Sequence, residues 1–272
     1  MPSVKEFYEK TAEVYDKEYD EPYWKLYHEI TWANIRRFLP RRENATILDA
    51  GGGTGYWAIR LAKRGFNVVS TDIAGNMLKV ATRKIEEEKL QDKIETRIVD
   101  IRDMSCFKSD CFDMALAEGD PVSYCLHPEK AVRELARVVK DGSYVIVSVD
   151  SKYTIVSRLI REESFDELSL LLRTGRLKGD FMLQAFTPEE MRALFEACGL
   201  NVVRMIGKPV LSQSIPKENR DKVIGKEFRK LLKLELKFCD APSLVGTGGH
   251  LEVVGVKRER QSARSRENLG SC

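Results

Sequence analysis

The chain has no run of 18 apolar residues, so no membrane-spanning helix is expected. Its six cysteines, at positions 106, 111, 125, 198, 239 and 272, include no C-x-x-C pair. That argues against zinc and redox patterns, and a disulfide framework is out of place in a chain of 272 residues. The thiols read as buried or idle, and no metal site is expected. Excess charge is equally scarce: 45 Lys and Arg stand against 42 Asp and Glu, a net +3. This balance lacks the electrostatic footprint of a nucleic-acid binder. The N-terminal segment is charged and helical from Lys5 onward, unlike a signal peptide, and a cytoplasmic location is expected.

Glycine, by contrast, is concentrated where it matters. The short apolar run 45–48 suits a strand buried on both faces of a parallel sheet. It ends in Asp49 and breaks into Gly51, Gly52, Gly53 and Gly55, which allow a tight turn and close approach to a ligand. Residues 56–64 carry apolar side chains at helical spacing, and Gly65 stands where a C-cap glycine belongs. The next strand, 66–71, ends in Asp72, 21 residues after Gly51. That separation matches a carboxylate reaching a ribose, so a nucleoside ligand is expected.

Charge selects among nucleoside ligands. Gly53-x-Gly55-x-x-Ala58 satisfies the dinucleotide fingerprint, so glycines alone leave a nicotinamide cofactor open. Asp49 beside the loop would repel a pyrophosphate, whereas a ligand bearing a cationic amine would welcome it. S-adenosylmethionine has such an amine, a ribose diol for Asp72, and an adenine whose amine suits a third acidic strand end. Residues 94–99 read as a strand, and Asp100-Ile101 follows it.

The ordered set Asp49-x-Gly51-x-Gly53-x-Gly55, Asp72-Ile73-Ala74-Gly75-Asn76-Met77-Leu78, Asp100-Ile101 and Phe112-Asp113-Met114-Ala115-Leu116-Ala117 resembles the motifs of class I S-adenosylmethionine-dependent methyltransferases. It is most similar to the small-molecule branch, of the ubiquinone and menaquinone biosynthesis type. The likeness is strong over residues 45–150. It implies that Asp49 and the glycine loop hold the methionine part, Asp72 the ribose hydroxyls, and Asp100 with Ile101 the adenine, with Ile73 also at the cofactor. Glu118 would border the cofactor, and tyrosines in the positions of Tyr15 or Tyr23 would close over it. One departure is Lys140-Asp141-Gly142-Ser143, where the family often has Lys-Pro-Gly-Gly. The implied fold is α/β and Rossmann-like, a seven-stranded mostly parallel sheet with an antiparallel edge hairpin.

The expected organisation is one domain over 1–257, with a disordered tail at 258–272. Residues 1–44 form an N-terminal helical lid, 45–150 the cofactor-binding core, 151–186 a helical cap insertion and 187–257 the C-terminal half of the sheet. Five of nine tyrosines (8, 15, 19, 23, 27) and two of three tryptophans (24, 32) precede residue 33. They read as an amphipathic pair packed on the sheet or as a lid whose rings attract a sulfonium. Residues 153–161 and 165–173 are helical, with Gly175 and Gly179 bracketing a hinge-like link and 181–186 a short strand. Thr187-Pro188-Glu189-Glu190 opens a helix with a capping box, closed by Gly199. The segments 200–206 and 251–256 read as the last two strands.

Methyl transfer from a sulfonium is an in-line displacement, so positioning supplies most of the catalysis and a base is needed only for a protonated nucleophile. Candidate catalytic residues follow the fourth strand: Asp120, Tyr124 and His127. The segment Glu118-Gly119-Asp120-Pro121 lacks the Asn/Asp-Pro-Pro-Tyr/Phe pattern of enzymes that methylate planar nitrogens. His250 either lines the pocket or begins an edge strand, and His28 reads as structural. The leading expectation is methylation of a small organic acceptor at oxygen, nitrogen or carbon by a monomer or homodimer. An RNA methyltransferase and a non-catalytic regulator that binds S-adenosylmethionine are the alternatives, and a nicotinamide oxidoreductase comes last.

Overall fold

The computed structural model describes residues 2–259. Seven strands form one sheet: β1 (Thr46–Ala50), β2 (Asn67–Asp72), β3 (Ile94–Ile98), β4 (Phe112–Ala117), β5 (Val139–Asp150), β8 (Leu200–Lys208) and β9 (His250–Lys257). Two short strands, β6 (Arg176–Lys178) and β7 (Met182–Gln184), pair separately. The sheet order is β3-β2-β1-β4-β5-β9-β8. The first five strands pair in parallel, and β9 runs antiparallel to both β5 and β8. This is the Rossmann-like class I methyltransferase fold.

Eleven α-helices accompany the strands among the described residues. They are α1 (Val4–Thr11), α2 (Pro22–Ile35), α3 (Tyr56–Ala62), α4 (Gly75–Glu87), α5 (Pro121–Tyr124), α6 (Pro128–Val138), α7 (Lys152–Arg161), α8 (Phe165–Thr174), α9 (Pro188–Ala197), α10 (Lys217–Phe238) and α11 (Pro242–Val245). A 3-10 segment, Tyr15–Asp20, links α1 to α2. None of the helices is long and apolar enough to cross a membrane.

Two apolar layers sandwich the sheet because successive residues of a strand face opposite sides. Leu48, Ala115, Val145 and Val253 join one cluster, while Ile47, Met114, Ile146 and Val254 join the other. The continuous apolar character of β1, β4 and β5 thus reflects burial on both faces. Helix α9 begins as its capping box dictates: Thr187 Oγ1 accepts from Glu190 N, and Thr187 N donates to Glu190 Oε2.

Several local expectations shift. The stretch bracketed by Gly175 and Gly179 is a hairpin, since Gly175, at φ +71°, caps α8 and sends the chain into β6. Strand β5 starts at Val139 and runs through Gly142, with a register shift against β4 between Phe112 and Met114. Most of the tail expected at 258–272 lies outside the described residues. Arg258, which is described, is tied to the sheet edge by Gly199 O and Asn201 Oδ1.

The N-terminal segment is pinned against α4. Glu9 accepts from Gly75 N at 2.8 Å and Asn76 N at 2.9 Å, supplying a carboxylate to an otherwise uncapped helix start. Asp16 accepts from Thr54 Oγ1 at 2.6 Å and pairs with Lys84, joining the 3-10 segment to the glycine loop.

Candidate active site

The carboxyl ends of β1 and β4 meet at the switch point of the strand order, where open α/β sheets bind ligands. A cavity of about 690 Å³ opens there, bounded by the glycine loop, the strand ends, the N-terminal aromatics and Phe181. That volume suits a nucleoside-sized ligand together with a small second molecule.

The glycine loop is shaped by contact. Gly51 has φ +73°, and a Cβ there would stand 2.7 Å from Pro121 Cβ. A Cβ on Gly52 would lie 2.3 Å from Ser70 Oγ and 2.5 Å from Asp49 Oδ2. Asp49 is therefore sealed beneath Gly52. Its Oδ2 accepts from Ser70 Oγ at 3.4 Å, while Oδ1 has no hydrogen-bond partner. Burial pushes its carboxyl up to about 7, with Asp72 adding to the rise. An orphaned buried carboxylate under a bare backbone loop fits the ammonium of the methionine part.

Asp72 reaches the cavity wall, and its two oxygens accept from Gly53 N at 3.0 Å and Ala74 N at 2.8 Å. Each oxygen retains a lone pair for a ribose hydroxyl. Ile73, Val99 and Ile101 bring apolar surface to the same wall, beside Asp100. Arg102 grips Asp100 with its Nε and Nη2, holding that carboxyl below its usual range against the opposing effect of burial. These residues fit S-adenosylmethionine: Asp49 with the loop for the amino acid end, Asp72 for the ribose, and Asp100 with its apolar neighbours for the base.

Glu118 and Asp120 continue the wall beyond β4. Lys208 Nζ lies 2.5 Å from Glu118 Oε2 and also binds Glu252, all three side chains being fully buried. Burial and the Glu252 charge push the Glu118 carboxyl up, while the two carboxylates together hold Lys208 above its usual range despite burial. Asn34 Nδ2 donates to Glu252 Oε1, and Arg204 donates to Asn34, extending the chain of polar contacts to the edge strand. Asp120, left-handed at φ +65°, starts α5 and places Oδ2 2.7 Å from His250 Nδ1. Burial opposes a proton on His250, yet Asp120 outweighs it and raises the imidazole. Asp150 completes this group, and burial beside Asp120 lifts it to about 7.

Of the residues singled out in the sequence, Tyr15, Gly51, Gly53, Asp72, Ile73, Asp100, Ile101, Glu118, Asp120 and Tyr124 converge on the cavity. Four expected residues do not line the cavity: Asp49, whose carboxyl lies beneath Gly52, and His127, Tyr23 and Gly55. His127 occupies the N-cap position of α6, and it does not line the cavity, which takes Tyr124, Cys125 and Leu126 instead. Tyr23 also lies off the wall, accepting from Gln213 Nε2 on the side facing α10. Gly55 serves packing, because a Cβ there would come within 3.2 Å of Ala81 Cβ. His28, stacked on Tyr56 at 4.3 Å, is buried and held down to about 3 by burial, Lys208 and Arg60, so it stays neutral.

Sequence reasoning missed Lys208, Glu252 and Asp150, which lack any local motif. It also passed over Tyr8, Tyr19 and Tyr27 individually, although the aromatic crowding before residue 33 signalled them as a group. The absence of any metal site was expected, yet Asp120, Asp150 and His250 offer donor atoms within 4.8 Å of one another.

Residues 47–142 match a family model described as a methyltransferase domain. A candidate methyltransferase of Geobacillus sp. (strain WCH70) is 30% identical over 149 residues, covering 54% of this chain and 58% of that protein. The chain thus spans little more than half of that relative. The tRNA 5-carboxymethoxyuridine methyltransferase of Escherichia coli (strain K12) is 20% identical over 238 residues, 86% of this chain and 88% of the other. Among solved structures, a SAM-dependent methyltransferase of Thermotoga maritima superposes with a TM-score of 0.60 at 16% identity, covering 93% of this chain and 99% of its own.

Proposed function

We propose that this S-adenosylmethionine-dependent methyltransferase transfers its methyl group to a small organic acceptor at oxygen, nitrogen or carbon. The observation that carries the reading is the concave shape of the site. Tyr8, Tyr15 and Phe181 lie over the same cavity as Gly51, Gly53 and Asp72, so lid and cap leave room for a small molecule rather than an exposed polymer face. The net charge of +3 supports the same choice.

When bound, the cofactor supplies a methyl on a sulfonium, open to in-line attack. The chain's own residues supply the rest. Asp49 and the bare loop backbone hold the amino acid end, and Asp72 fixes the ribose, so the reactive end is directed by two anchored points. The aromatic rings narrow the reaction space and limit its contact with water. Asp120 and Asp150 offer carboxyl oxygens as proton acceptors where the nucleophile needs one.

A second reading, an RNA acceptor, is favoured by one observation: the E. coli tRNA enzyme aligns over 86% of this chain. Incubation of the protein with methyl-labelled S-adenosylmethionine and separated metabolite and RNA fractions decides between them. Label in the metabolite fraction supports the small acceptor, and label in RNA alone overturns it.

A further inference from the structure

Beyond the glycine loop, the cavity wall carries more unpartnered carboxyl oxygens than the cofactor explains. Glu118 and Asp120 both line the cavity and are each only 3% exposed. Each keeps one oxygen, Oε1 and Oδ1 respectively, without a hydrogen-bond partner. Asp150 Oδ2 is a third such atom. The cations facing them are Lys208, shared between Glu118 and Glu252, and His250, 2.7 Å from Asp120. Four carboxyl groups therefore meet Lys208 and His250 where water scarcely reaches. Buried unpaired carboxylate oxygens are unfavourable alone and are relieved by a ligand that brings positive charge.

The cavity lining is also aromatic. Tyr124 packs on Phe181 with ring centroids 4.9 Å apart, and Tyr8 lies 5.8 Å from Phe181 and 6.4 Å from Tyr124. Ring faces and unpaired carboxylates attract the same kind of ligand, an organic cation. A neutral or anionic acceptor would gain from neither.

We propose that the acceptor is an amine, carried into the cavity as an ammonium and held by Glu118 and Asp120 against the faces of Tyr8 and Tyr124. This inference rests on the methyltransferase reading and narrows its acceptor. The nitrogen must lose one proton before it can react. Asp120 Oδ1, unpartnered on the cavity wall beside Asp150 and His250, stands where it can take that proton. The freed lone pair then forms the N–C bond while the methyl carbon–sulfur bond breaks and its electron pair stays on sulfur. The products are a methylated ammonium and a neutral thioether.

The same oxygens and imidazole would also suit a divalent metal ion, and the test separates the two. Protein saturated with S-adenosylhomocysteine is titrated with isopropylammonium, with 2-propanol as its neutral counterpart, and in parallel with Mn²⁺ alone, all followed calorimetrically and by ligand-observed NMR. The ammonium is expected to bind about tenfold or more tighter than the alcohol. Asp120→Asn, whose side chain tolerates the left-handed backbone, is expected to remove that preference while S-adenosylhomocysteine binds as before. Glu118→Gln provides an independent variant should the first fail to fold. Equal binding of ammonium and alcohol, binding of neither, or Mn²⁺ binding that excludes the ammonium would each overturn the amine. Failure of S-adenosylhomocysteine to bind folded protein would instead overturn the methyltransferase reading beneath it.

Discussion

Lys208 Nζ stands 2.5 Å from Glu118 Oε2, joining the edge strand β8 to the end of β4 across 90 residues of sequence. The contact is wholly buried and is shared with Glu252, so one ammonium serves two carboxyl groups. It fixes the wall of the cavity from behind, and it makes a first prediction direct.

Lys208→Met leaves Glu118 and Glu252 buried and uncompensated. The expected cost is about 3–5 kcal/mol of folding stability, the range for breaking one partner out of a buried pair. Urea unfolding measures it. A triple variant that also carries Glu118→Gln and Glu252→Gln is expected to recover part of the loss, since no charge is then stranded.

Gly51→Ala meets two obstacles at once, a backbone at φ +73° and a Cβ placed 2.7 Å from Pro121 Cβ. A loss of about 1–3 kcal/mol in stability, with weakened cofactor binding, is expected. Gly65→Ala is the control: it carries the same kind of positive φ, +93°, with nothing within 4 Å of the added carbon, so only the backbone strain remains. Equal effects of the two substitutions would show that the Pro121 contact contributes nothing.

Asp72→Ala removes the acceptor from Gly53 N and Ala74 N as well as the proposed ribose contact. Affinity for S-adenosylmethionine is expected to fall by about 1–3 kcal/mol. Asp49→Ala is expected to weaken binding by a similar amount, through loss of the orphaned oxygen under the loop. Unchanged affinity in both variants would contradict the site assignment.

The stability contributed by Asp49 and Asp150 should fall as pH rises from about 4 to about 7. Buried His28, held down to about 3 from 6.5, offsets part of that fall because its contribution grows as pH rises. Asp49 and Asp150 are lifted by burial from 3.8 to about 7. Within that window the folded protein keeps protons that the unfolded chain has released, so raising the pH favours unfolding. Raised His250 acts in the same direction, because its stabilisation is present below the ordinary imidazole value and is lost as pH rises through the folded one. Asp120, held low mainly by His250, contributes stability that is lost only in more acid solution. Each carboxyl is worth at most about 4 kcal/mol by this linkage. Urea unfolding at pH 5 and pH 8 checks the slope, and Asp49→Asn should flatten it.

Much of this was legible in the chain itself, for a physical reason: the informative residues lie within short stretches whose spacing sets their geometry. Asp49, Gly51, Gly53 and Asp72 belong to two successive strand ends and the turn between them, so their meeting needed only a parallel sheet. Lys208 with Glu118, and His250 with Asp120, meet because β9 inserts between β5 and β8, and no local pattern encodes that pairing. Tyr23 and His127 were misplaced for a related reason. On a helix the face a side chain takes depends on what packs against it, here α10 against α2 for Tyr23, and a helix start for His127.

Titration calorimetry of the purified protein with S-adenosylmethionine, run beside NADH, tests the central claim most directly. Micromolar binding of S-adenosylmethionine, weakened about tenfold or more by Asp72→Ala and without measurable NADH binding, is the predicted result. Binding of NADH alone, to folded protein, would contradict the reading of Asp49 and of the loop above it.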